Sequence, residues 1–156
     1  MTQEPLMMTE PRPSAVPACP SNRTRMIFIW IAQIIVAAIL MQTLYFKFIY
    51  APETRVIFAD LGGRPMATLV GIVELACVVL LLIPRTAAIG AVLALGTIGG
   101  AIFSHLFILG VQITNPETGE KDGGLLFGLA LIVAVGAGFV LVMRWRELPG
   151  LGRLGV

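Results

Sequence analysis

The chain is 156 residues long, 57% hydrophobic and only 13% charged, with a formal net charge of +2 and a mean hydropathy of +0.91. Soluble domains carry about a quarter charged residues, so this composition excludes an ordinary water-soluble enzyme and indicates a membrane protein. The apolar residues fall in a few long blocks rather than short alternating runs, which excludes a β-barrel and leaves helices to do the spanning.

Residues 1–25 carry prolines at 5, 11, 13, 17 and 20 without any periodicity. Such a segment buries too little apolar surface to order itself, so a disordered cytoplasmic tail is expected. The following "RTRMIFIWIAQIIVAAILMQ" has too long an apolar run, and no small-residue cleavage site, for a signal peptide; it reads as a permanent span. The membrane domain is assigned to residues 26–147, with spans at about 26–46, 66–83, 87–113 and 125–143. These compare with the roughly 20 residues that cross about 30 Å of hydrocarbon.

Between the first two spans, "KFIYAPETRVIFADLGGRP" offers Pro52 as a helix start and Gly62 as a helix end, with Val56, Ile57, Phe58 and Leu61 on one side. That pattern predicts a short helix lying at the membrane surface. The second and third spans are joined only by "PRT", Pro84 to Thr86, which forces an antiparallel hairpin. "TNPETGEKDGG" is a polar turn before the fourth span, and residues 148–156 form a short cytoplasmic C-terminal tail. The predicted fold is all-α, an antiparallel up-down four-helix integral membrane bundle.

Four spans leave both termini on one side. That side holds Arg12, Arg23, Arg25, Arg85, Arg144, Arg146 and Arg153, against Lys47, Arg55, Arg64 and Lys121 opposite. The excess predicts cytoplasmic termini in a bacterial inner membrane.

"TLVGIVELACVVLLLIP" places one carboxylate, Glu74, inside the second span. Its insertion cost is comparable with the ~2.5–3.5 kcal/mol of a mid-span Asp, and the surrounding Leu, Ile and Val residues return about 0.3–0.6 kcal/mol each. The span inserts, but the acid needs either a proton or a partner. With the span ends taken above, Glu74 and His105 both lie eight residues in from the outer end, at roughly 12 Å depth. A Glu74–His105 contact acting as a proton relay is therefore expected, with Lys47 the other cation at suitable depth. Gln42, Tyr45 and Lys47 on the first helix, and Asp122 at the mouth of the fourth, complete the expected ligand pocket. A purely structural role is the alternative, since interhelical hydrogen bonds of ~0.6 kcal/mol serve packing alone, Gln33 among them. Lys47 at a span end would also be placed to snorkel.

"GTIGGAIFSH" sets Gly96, Gly100 and Ser104 four apart, and Gly71, Gly128, Gly136 and Gly138 thin the other helices. All are expected to let backbones approach. A single His and scattered methionines argue against haem, Cys19 and Cys77 form no metal or redox motif, and the dispersed cations do not suit nucleic acid.

"GIVELACVVLLLIPRTAAIGAVLALGTIGGAIFSHLFILG" followed by "DGGLLFGLALIVA" resembles the DoxX group of small four-helix bacterial membrane proteins, over roughly Trp30 to Pro149. The residues that carry the likeness are Glu74, Pro84, Arg85, the "SHL" around His105 and the "DGG" from Asp122 to Gly124. The resemblance implies an inner-membrane fold and a link to redox physiology, since the group is named after a subunit of a thiosulfate:quinone oxidoreductase. Distant relatives act as assembly factors or cargo receptors, and no cysteine stands on the outer face here for sulfur chemistry. Two functions follow as expectations. One is a redox-associated subunit that binds a quinone-like amphiphile at the Glu/His pocket, beside a redox-enzyme partner. The other is a non-catalytic accessory protein whose polar residues fix helix packing and whose surface helix docks a partner through Val56 or Phe58.

Overall fold

A computed structural model describes residues 22–145. Its helices are α1 (Asn22–Ile49), α2 (Pro52–Phe58), α3 (Gly63–Leu82), α4 (Ala87–Ser104) and α5 (Leu125–Arg144), and α4 runs on into a π-helical turn, His105–Leu109. Four of them, α1, α3, α4 with its π turn, and α5, are long and apolar enough to cross a membrane. The chain is a multi-pass membrane protein of the expected all-α bundle type. The expected tails, residues 1–25 and 148–156, lie almost wholly outside the described residues.

Helix ends follow from local chemistry. At the end of α1, Ala51 N–H donates to Phe46 O (3.0 Å) and Tyr50 N–H to Lys47 O (3.3 Å), closing the helix with Tyr50 at φ 56°. This two-bond cap needs a left-handed residue, a conformation that strains any side chain but glycine. Pro52 then opens α2 as expected. α2 stops at Phe58 rather than at Gly62; Gly62 and Gly63, at φ 104° and 66°, instead launch α3. α3 therefore begins three residues before the expected Met66. Pro65 does not delay it, because first-turn N–H groups have no intrahelical acceptor to lose.

The "PRT" link behaves as the sequence suggests. Thr86 Oγ1 donates to Leu80 O (3.0 Å), and α4 starts at Ala87. α4 ends earlier than expected, since Gly110 at φ 83° stops the π turn and residues 110–124 form a loop. An antiparallel bridge, Thr114 to Lys121, pins that loop.

Each long helix packs on two others, in the ring α1–α3–α4–α5–α1, and α2 leans on α3. The shared core is built from Val36, Leu40, Cys77, Val78, Leu81, Ala91, Ala94, Val133, Ala137 and Val140. Outward faces carry Ile27, Phe28, Ile34, Leu69, Phe107, Val135 and Val142, the belt expected against lipid tails.

Close approach of helices rests on fewer glycines than their spacing implies. A Cβ on Gly90 would sit 2.6 Å from Leu81 N, and one on Gly136 2.6 Å from Val36 Cγ2. Gly71 lies at ordinary contact distance from Leu44. A Cβ on Gly96, Gly100, Gly128 or Gly138 would meet nothing within 4 Å. The Gly96–Gly100 stripe faces away from the neighbouring helices, which corrects the expected role for those four residues.

Candidate functional site

Glu74 is 4% exposed and points from α3 toward α1. Lys47 Nζ donates to both of its carboxylate oxygens at 2.9 Å, and Thr43 Oγ1 lies 3.3 Å from Oε2 while also meeting Leu40 O at 2.9 Å. Thr43 and Lys47 stand one turn apart on α1, so a single helix face presents both donors. The ammonium is the more accessible partner, its side chain 15% exposed against 5% for Glu74. This is a charge pair held between two spans, with one route outward along the lysine arm.

His105 is not the partner of Glu74. Its Nδ1–H donates to Gly110 O at 3.0 Å, and the ring meets Phe127 of α5 edge-on at 5.8 Å. No hydrogen bond joins Glu74 to His105 among the described residues. The expected equal depth fails for a geometric reason. α3 begins three residues earlier and the helix carrying His105 ends at Leu109, short of Ile113. Counted from the observed ends, Glu74 lies eleven residues beyond Gly63 and His105 four before Leu109, which at about 1.5 Å per residue separates their depths by roughly 10 Å.

Asp122 serves the loop rather than a lid over Glu74. Its carboxylate accepts from Ile113 N (2.8 Å), Gly124 N (3.0 Å) and Leu126 N (3.2 Å), capping the start of α5 and closing the loop on itself. Burial pushes its pKa up, but the three backbone N–H groups, with a contribution from the charge of His105, hold it below the ordinary 3.8. His105 and Asp122 thus each bond backbone groups of the α4–α5 connection, apart from the Lys47–Glu74 pair.

Gln42 and Tyr45 are both exposed on the outward face of α1, with Tyr45 stacked edge-on against Phe46. Neither lines a site with Glu74, which corrects their expected place in the pocket. Of the expected residues the structure brings together Glu74 and Lys47, adds Thr43, and disperses the rest. The Thr43–Lys47 spacing of four was the signal available in the sequence. Phe58 is 7% exposed, buried against its own bundle, so it offers no side chain to a docking partner. α2 is tied to the α4–α5 loop instead, Asn115 Nδ2 donating to Glu53 Oε1 at 2.7 Å.

At the opposite end lies a polar group that composition alone conceals. Gln33 Nε2 donates to Leu81 O at 2.6 Å, and Arg144, 4% exposed, donates to Pro84 O at 2.8 Å and reaches Gln33 Oε1 at 3.5 Å. The stop before Pro84 leaves carbonyls at the end of α3 and in the link without helical donors; Gln33 supplies one to Leu81 O and Arg144 one to Pro84 O. The signal was a proline-stopped span flanked by few polar side chains. Arg144 was counted among loop charges, yet it is part of the interior.

Among the described residues, no group of three or more His, Cys, Asp and Glu could hold a metal ion. Comparison with protein-family models, curated proteins and solved structures returns no match.

Proposed function

We propose that this protein is a redox-associated subunit of the bacterial inner membrane, termini in the cytoplasm, that binds the polar head of a quinone-class amphiphile at the Lys47–Glu74 pair. The observation that carries this reading is an ion pair buried between two apolar spans, because intramembrane ionisable residues mark ligand and proton pathways by default. The third N–H of the Lys47 ammonium is suited to a quinone carbonyl, and the Glu74 carboxylate to the hydroxyl of the reduced form, whose proton it accepts. As the reduced form loses that proton its electrons pass to a partner redox enzyme, and its second proton passes to water. The resemblance of residues 30–149 to the DoxX group supports the redox association. His105 takes no part, since it lacks contact with Glu74.

One observation favours the accessory reading. Glu74 already accepts hydrogen bonds from Lys47 and Thr43, so the pair is also complete as a pin between α1 and α3. Equilibrium retention of a short-chain quinone by the purified protein separates the two. Glu74→Gln, which keeps the side-chain size and a hydrogen-bond acceptor, is expected to lower retention about tenfold, the equivalent of one lost charged contact. Unchanged retention in a folded variant leaves only the pin.

A further inference from the structure

The α1/α5 seam carries an open apolar groove of about 370 Å³, lined by Ala32, Ile35, Leu131, Ile132, Val135 and Gly136. The groove exists because two of its residues are small. Gly136 cannot enlarge, as its Cβ would strike Val36. From the groove toward the terminal end of the bundle, Ile35, Ala32, Phe28 and Arg25 follow at helical spacing on α1, as do Ile132, Gly136, Phe139 and Met143 on α5. The two rows converge on one cation. Arg25 crosses the seam and donates through Nη2 to Met143 O at 2.8 Å.

That single bond fixes the guanidinium over the seam while its other N–H groups have no hydrogen-bond partner among the described residues. Arg25 stands seven residues before Ala32, about 10 Å along the helix axis. Among the described residues, charge at this end is one-sided. The exposed Arg23, Arg25 and Arg85 gather there, while every described carboxylate belongs to α2, the loops at the far end or the Lys47 pair. A guanidinium suits the planar, multidentate recognition of phosphate, and basic residues at a membrane surface draw anionic lipids.

We infer that this seam is a binding site for one anionic phospholipid, its phosphate on Arg25 and an acyl chain in the groove. The two observations are independent: the groove alone would take any apolar chain, and the arginine selects the head. The site lies on α1 and α5, away from the α1/α3 pair, so it stands whether or not that pair binds a quinone.

Native mass spectrometry tests it, on the full chain released from micelles holding equal phosphatidylglycerol and phosphatidylcholine. The wild type is expected to retain phosphatidylglycerol in preference by about tenfold, the scale of one charge-assisted contact. Arg25→Gln is expected to bring that ratio close to one, whereas Arg64→Gln at the other end leaves it unchanged. Ala32→Leu is expected to reduce retention of both lipids. Val135→Phe, at an outward-facing position, narrows the same groove and serves where Ala32→Leu fails to fold. An Arg25→Gln protein that keeps the preference overturns the proposal. So does displacement of the lipid by millimolar inorganic phosphate, which would make the ligand a free anion.

Discussion

Removing Lys47 should damage the bundle far more than removing both members of its pair. Lys47→Met leaves the Glu74 carboxylate 4% exposed, with only the Thr43 hydroxyl facing it. Breaking a buried pair from one side costs about 3–5 kcal/mol, and the lower end applies here because the Lys47 side chain retains 15% exposure. Glu74→Leu strands an ammonium instead, but that long arm can swing to the surface, so its cost is smaller. In the double variant two apolar side chains of similar volume replace the pair, and the loss should fall to within about 1 kcal/mol of wild type, as for other ion pairs replaced by packed hydrophobic residues. The cycle is read from reversible unfolding in mixed micelles, followed by circular dichroism as SDS is raised. A coupling of roughly 2 kcal/mol or more is expected, well above the 0.3–0.5 kcal/mol scatter of independent sites. Additive single losses would show that the two groups do not depend on each other, and the reasoning that places the site at their contact would fail.

Two further outcomes follow from the geometry. Gly90→Ala puts a methyl against the Leu81 backbone and should cost about 1–3 kcal/mol, while Gly100→Ala, with nothing within 4 Å, should be neutral or stabilising by up to ~1 kcal/mol; parallel thermal unfolding distinguishes them, and equal effects would contradict the packing. Asp122 has a folded-state pKa below its ordinary 3.8, so its contribution is present above about that pH and is lost as pH falls through the lower folded value. Asp122→Asn should therefore weaken the loop near neutrality and flatten the acid limb of a melting-temperature profile as pH falls below about 3.8; an unchanged acid limb would remove Asp122 from the account.

The scaffold was largely legible in the sequence because it depends on hydrophobic length. Four apolar blocks, a proline-stopped hairpin at Pro84 and a polar turn near Asp122 specify four antiparallel helices whatever the side-chain detail. The site was less legible, because it depends on which way a residue points and where a helix ends. Glu74 was visible as an anomaly, and Lys47 as one of two cations at its depth. The choice between Lys47 and His105 turned on a three-residue extension of α3, through a proline that first-turn geometry tolerates, and on a π turn that ends at Gly110. Neither leaves a periodic trace. The glycines mislead for a related reason. Spacing of four marks a stripe, yet only the rotation of the helix in its ring decides whether that stripe meets a neighbour, as at Gly90, or faces outward, as at Gly100.

Arg144 has a bearing on the order in which the bundle is made. A ribosome delivers α1, α3 and α4 to the membrane before α5, so the carbonyl of Pro84 must wait with its lone pairs unanswered by that guanidinium until the final span has been threaded in. The last residue of α5 is the latch. A nascent chain halted just before Arg144 would carry all four apolar segments and still lack the fastening that joins α5 to the α3–α4 hairpin, and this marks the arrival of α5 as the step at which the ring of helices becomes locked.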